Sequence, residues 1–170
     1  MRAIVVYESH WGNTAAVARA IADGLGPDAR AVTTDEATDT SLEGIDLIVA
    51  GAPVMAFRLP TEGALDSLAN KPSKDGNPPD VSHPAMRSWL AGLPAGHGRG
   101  AAFETGLRWS PGGATGAIES ELRRAGYGSI ARSRRFVVTG TSGPLKVGEI
   151  DRAQAWGVEL AASMAEILVA

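Results

Sequence analysis

A chain of 170 residues fits a single domain, 1–170, and is long enough to bury a proper core, with apolar residues at an ordinary 44%. A net charge of −3 and a pI near 5.6 exclude the broad basic field that nucleic-acid binding needs. The absence of cysteine excludes disulfides, thiolate metal sites and thiol nucleophiles together, and His10, His83 and His97 lack metal-ligand spacing.

Ala3-Ile4-Val5-Val6-Tyr7 is a β-branched run of strand length, as a strand buried on both faces requires. It is too short for a signal-peptide core, and no later run reaches about 18 uninterrupted apolar residues. A cytoplasmic protein with no membrane contact is the expectation. Glu8 to Gly12 is a loop. Thr14 to Leu25 reads as a helix, because Val17, Ile21 and Leu25 recur on one face, with Asn13 as N-cap. Ala29 to Thr33 is a short second strand. Asp35 to Ser41 is polar and loop-like, with room for a short helix. Asp46 to Gly51 is a buried third strand, followed by a loop from Ala52 to Pro60.

Thr61 to Ala69 is a weak helical stretch. Asn70 to Asp80, with Asp75-Gly76 and Pro78-Pro79, reads as an exposed loop. Pro84 to Leu93 is predicted helical, with Met86, Leu90 and Leu93 on one face. Gly100 to Glu104 is strand four, Leu107 to Gly113 a loop, and Ala114 to Ala125 a helix. Arg135 to Thr139 is strand five, Thr141 to Gly148 a loop, and Glu149 to Val169 a long closing helix.

Strands thus alternate with helices five times, which calls for a parallel sheet covered on both faces. Ligands of such sheets sit beyond the carboxyl ends of the strands. That rule selects the loops Glu8–Thr14, Ala52–Pro60 and Thr105–Gly113. The first, Ser9-His10-Trp11-Gly12-Asn13-Thr14, joins a strand to a helix start, where unpaired N–H groups and the helix dipole favour an anion. The Ser9 and Thr14 hydroxyls and the Asn13 amide add donors, and Gly12 permits close backbone approach. With no Lys or Arg in it, the loop is neither a Walker loop nor GxGxxG, and it suits a monoester phosphate.

The run Val5-Val6-Tyr7-Glu8-Ser9-His10-Trp11-Gly12-Asn13-Thr14-Ala15-Ala16-Val17-Ala18-Arg19-Ala20-Ile21 resembles the flavodoxin signature. Phe103-Glu104-Thr105, the run Phe136 to Leu145, Gly148-Glu149 and Ala155-Trp156-Gly157 resemble flavodoxin-family proteins of actinobacterial type. The resemblance spans most of the chain and is weakest over Asn70–Ser82. It implies a flavodoxin-like three-layer α/β sandwich, with a five-stranded parallel sheet in the order 2-1-3-4-5 and helices on both faces. It also implies one FMN as cofactor, its phosphate in the Ser9–Thr14 loop and its ring between the loops after strands three and four. Carried onto this chain, the ring site comprises Pro53, Val54, Met55, Ala56 and Phe57 on one side. Glu104, Thr105, Gly106, Leu107, Arg108 and Trp109 form the other.

Met55, Phe57 and Trp109 are candidate ring walls, though each also reads as core or packing. Trp11 is placed at the phosphate or ribityl end, and His10 reads as a solvent-facing loop residue rather than an acid or base. Trp89 and Trp156 read as core or interface. Arg108 favours the anionic reduced flavin if it points inward. Arg123, Arg124, Arg132, Arg134 and Arg135 read as a solvated basic rim. No Gly lies between Ala52 and Arg58, so a positive-φ peptide there is costly, and weaker stabilisation of one-electron-reduced flavin is expected than in carrier flavodoxins.

Three functions fit: an FMN electron carrier; an FMN oxidoreductase acting on NAD(P)H, a quinone or a porphyrinogen-like substrate; and a flavin-free binding module. A carrier needs no catalytic side chain, since the chemistry is the flavin's. The expected partner is a redox protein or a small electron donor or acceptor, the expected state a monomer or weak homodimer, and no metal is implied.

Overall fold

The computed structural model describes residues 1–70 and 76–169. Part of the Asn70–Asp80 loop therefore lies outside the described residues. The chain runs β1 (Ala3–Tyr7), α1 (Asn13–Leu25), β2 (Ala29–Thr33), α2 (Thr34–Asp39), β3 (Leu47–Pro53), α3 (Glu62–Ala69) and α4 (Met86–Ala91). It continues with β4 (Arg99–Gly106), α5 (Thr115–Arg124), β5 (Gly128–Ser129), β6 (Arg134–Val137) and α6 (Glu149–Val169).

All strand pairs are parallel, in the order β2-β1-β3-β4, with β5 and β6 both beside β4. This is the expected 2-1-3-4-5 order with one difference. The fifth position is shared by a two-residue strand against Arg99–Gly100 and a second strand against Phe103–Gly106.

The alternation of side chains sorts the core onto two faces. Ala3, Val5, Tyr7, Leu47, Val49, Ala101, Phe103 and Phe136 pack beneath α1 and α6. Ile4, Val6, Ile48, Ala50 and Ala102 face the opposite side, with Met86, Trp89 and Leu90 of α4 and Ile118 and Leu122 of α5. Trp89 and Trp156 are buried, as expected. Helices α1 and α6 touch backbone to backbone. A Cβ on Gly24 would overlap the Gln154 carbonyl oxygen, and one on Gly157 the Ile21 carbonyl oxygen.

Three elements start or end where side chains elsewhere decide. The Asp35–Ser41 stretch begins as a helix because Thr33 and Glu36 form a capping box, Thr33 N–H donating to Glu36 Oε2 at 2.8 Å. Helix α4 is shorter than Pro84–Leu93, and its first N–H, at Met86, donates to Glu8 Oε2 at 2.8 Å. At the start of α5, the N–H groups of Ala114 and Thr115 donate to Glu104 Oε2 at 2.6 and 3.1 Å. Among the described residues, no helix is long and apolar enough to cross a membrane.

Candidate phosphate loop and ring site

The loop after β1 enters α1 through Gly12, which sits at φ 88° in the left-handed region, as this residue type permits. Having no side chain, Gly12 cannot cap the helix. Ser9 reaches forward instead, its Oγ accepting from the N–H groups of Gly12 and Ala15 at 3.2 Å each. The N–H groups of Asn13 and Thr14, which no helical carbonyl can reach, find no acceptor among the described residues. The Thr14 hydroxyl hydrogen-bonds the Thr105 hydroxyl at 2.8 Å, linking the first loop to the end of β4. Asn13 Nδ2 donates to the Ser142 carbonyl at 3.2 Å, which brings the loop after β6 alongside. Trp11 is half-buried and meets the His10 ring edge-on at 6.2 Å.

His10 is not solvent-facing: it is 6% exposed. Its Nε2 lies 3.0 Å from Glu8 Oε1, and its Nδ1 lies 2.8 Å from the Asp80 carbonyl oxygen. The Asp80 N–H donates back to the His10 carbonyl at 2.8 Å. Burial alone would lower the His10 pKa; the hydrogen bonds to Glu8 and Asp80 outweigh it and raise the value. The sequence carries no local signal for this arrangement, because Asp80 and Met86 are supplied from a distant segment.

The loop after β3 turns tightly. Met55 N–H donates to the Arg58 carbonyl at 2.9 Å, and Arg58 N–H to the Met55 carbonyl at 3.1 Å. Ala56 and Phe57, at φ 46° and 67°, have the φ signs of a type I′ turn. The left-handed backbone is therefore present without glycine. Bonds on both sides hold it: the mutual Met55–Arg58 pair, and Gly113 N–H donating to the Phe57 carbonyl at 3.0 Å. Val54 N–H donates to the Thr105 carbonyl at 2.9 Å, fixing the start of this loop to β4.

Pro53, Val54 and Met55 are half-buried, while Phe57 is 62% and Trp109 84% exposed. Neither aromatic belongs to the core. Leu107 and Arg108 are exposed, whereas Glu104, Thr105 and Gly106 are buried. The Glu104 carboxylate is fully committed: Oε2 caps α5, and Oε1 accepts from Arg135 Nε at 2.6 Å. Arg135 also donates to the carbonyls of Ser110 at 2.7 Å, Gly112 at 2.6 Å and Leu107 at 3.2 Å, so one guanidinium shapes the whole loop after β4. It is thus a bound structural group, not part of a solvated rim. Two concave surfaces lie away from these loops, one between α2 and α4 of about 360 Å³ and one beneath the amino end of β4 of about 1000 Å³.

A parallel sheet in this order, with helices on both faces and its strand-to-helix loops converging at the start of the first helix, defines a doubly wound α/β architecture. More particularly, the fold is flavodoxin-like. It is similar to a flavodoxin from the domain Archaea, at a TM-score of 0.64 and 22% identity over 97% of this chain and 99% of that one. A C101A mutant of the Pseudomonas aeruginosa flavodoxin aligns at 0.63 and 17% identity, over 97% and 99% of the two chains. The rubredoxin oxygen:oxidoreductase of Desulfovibrio gigas aligns at 0.63 and 13% identity, over 99% of this chain but 37% of its own. No family model and no curated protein matches the sequence.

Proposed function

We propose that this chain binds FMN and carries electrons, with the flavin phosphate held at the start of α1. The observation that carries this reading is the pair of N–H groups at Asn13 and Thr14 that have no acceptor among the described residues, beside Gly12. A phosphate oxygen is the acceptor they suit, and the α1 dipole favours its charge. The Ser9 and Thr14 hydroxyls stand ready to reorganise toward it. The one carboxylate of the loop, Glu8, is 1% exposed and engaged by His10 and Met86, which keeps it from repelling the anion.

Bound FMN supplies the electron-transfer chemistry. The residues of the chain bind, orient and shield. Phe57 and Trp109 present flat apolar surface on the two loops expected to flank the ring, and Val54 to Phe57 and Thr105 to Leu107 bring backbone polar groups to its edge. No side chain is needed as nucleophile or acid. The same reading places the protein in the cytoplasm, as a monomer or weak homodimer working with a redox partner.

Calorimetric titration of the purified protein with FMN and with riboflavin tests the reading. FMN is expected to bind at least about tenfold more tightly, as expected from a few charge-assisted hydrogen bonds to phosphate. Equal affinities, or no heat with FMN, overturn it.

A further inference from the structure

We propose that Thr105 is a positioning residue of the phosphate site: its hydroxyl donates to Thr14, which leaves the Thr14 proton for the phosphate. The inference rests on the FMN reading above. Thr14 stands in the first turn of α1 and Thr105 near the carboxyl end of β4, 91 residues on, and their hydroxyl oxygens lie 2.8 Å apart. Both residues are buried, at 2% and 3% exposure. Among the described residues, neither hydroxyl has another hydrogen-bond partner.

Two hydroxyls carry two protons, and the one bond between them uses one. Whichever oxygen donates, the other proton is left buried without an acceptor among the described residues, and an unmet buried donor is costly. If Thr105 donates, the spare proton is on Thr14, in the same turn as the N–H groups of Asn13 and Thr14 that also lack acceptors. One ligand anion at this helix start then meets all three donors. The loop leaves space beside them, because a Cβ on Gly12 would touch nothing within 4 Å. A phosphate dianion only accepts, so it fixes the direction of the relay, from Thr105 to Thr14 to phosphate. A neutral hydroxyl both donates and accepts, and fixes no direction.

The backbone holds this relay in place. Thr105 lies in a strand paired on both sides, opposite Pro53 of β3 and Phe136 of β6, and its carbonyl accepts from Val54 N–H at 2.9 Å. A β-branched side chain on such backbone has few rotamers, which keeps its hydroxyl beside Thr14. The buried carboxylates nearby do not compete for the spare proton. Glu8 is engaged by His10 and Met86, and Glu104 by Arg135 and the first N–H groups of α5.

Titration of Thr105 variants with FMN and with riboflavin tests this. Thr105→Val, close in shape and suited to a strand, is expected to bind FMN about fivefold more weakly, with riboflavin affinity within about twofold of wild type. Thr105→Ala should repeat that selective loss. Thr105→Ser keeps the hydroxyl and should keep the wild-type ratio of the two affinities. In a Thr14→Val background the relay has no end, and adding Thr105→Val should change FMN affinity by less than about twofold.

Equal losses for both ligands, or no loss for either, overturn the inference while leaving the FMN reading intact. So does a serine variant that behaves like the valine one, or an undiminished loss in the Thr14→Val background. A wild-type protein that takes up no FMN overturns the reading and the inference together.

Discussion

His10 and Glu8 form a buried pair beside the start of α1, and the geometry fixes the proton on His10 Nδ1. The Asp80 carbonyl only accepts, so His10 Nδ1 must donate to it at 2.8 Å. Glu8 Oε2 accepts from the Met86 N–H at 2.8 Å. One proton lies between Nε2 and Glu8 Oε1, 3.0 Å apart, and the raised His10 pKa favours its residence on the ring, as an imidazolium. The pair joins the loop after β1, the 76–85 segment and the first turn of α4 into one unit.

This pair gives folding stability a definite pH dependence. The His10 pKa is raised in the folded protein above its ordinary 6.5. The stabilisation is therefore complete below about 6.5 and is lost as pH rises through the raised value. Urea unfolding between pH 6 and 9 should show stability declining on the alkaline side. A His10→Asn variant should lose that slope and be less stable at pH 6 by about 3 kcal/mol, since it leaves Glu8 buried without its cation. An unchanged slope in the variant would assign the dependence to another group.

Ser9 is expected to serve both fold and ligand. Its Oγ accepts two N–H groups at the start of α1, so Ser9→Ala leaves two partly buried donors unmet. A loss of about 1–2 kcal/mol in thermal or urea unfolding should follow. FMN affinity should fall more than riboflavin affinity, because the proposed phosphate site includes this hydroxyl. Calorimetric titration of both ligands reads the difference; an equal fall for both would place Ser9 outside the phosphate site.

What the sequence made legible tracks how local the causes are. β1, β2 and α6 were predicted with the bounds observed, because β-branched runs and an uninterrupted 21-residue helical stretch need no outside help. The helix over Thr34–Asp39 had a readable signal in Thr33-Thr34-Asp35-Glu36, the spacing of a capping box. The division of the fifth strand had none. Gly128-Ser129 lacks strand-like residues and pairs only because Arg99–Gly100 of β4 presents free backbone there. The burial of His10 and the work of Arg135 were equally illegible. Both depend on partners tens of residues away, whereas the proposed phosphate loop stands out in the sequence because its glycine, hydroxyls and amide are contiguous.

The Met55–Arg58 turn should gain stability from a glycine. Ala at φ 46° bears a left-handed penalty of about 1–2 kcal/mol, partly offset by the smaller backbone entropy that Ala loses on folding. Ala56→Gly is expected to raise stability by about 0.5 kcal/mol, and Ala56→Val to lower it by more than that, because a β-branched side chain resists positive φ. Urea midpoints of the two variants at constant m-value test this. A destabilising Ala56→Gly would mean that the turn relaxes elsewhere.

Arg135 is the residue whose loss should most disturb the ring site without lying in it. Its guanidinium satisfies Glu104 and three carbonyls of the loop that bears Leu107, Arg108 and Trp109. Arg135→Met keeps much of the aliphatic stem but leaves Glu104 buried with only the two N–H groups of α5. Removing one partner of a buried pair costs about 3–5 kcal/mol, discounted here because Arg135 is partly exposed. A loss near 2 kcal/mol is expected in urea unfolding. Hydrogen exchange should rise across residues 107–113 and stay unchanged in β1, which separates release of this loop from general loosening. FMN affinity should fall with the phosphate contribution intact, so that the ratio of FMN to riboflavin affinities is preserved. A variant with wild-type exchange in 107–113 would show that the turn at Phe57, through Gly113, holds this loop by itself.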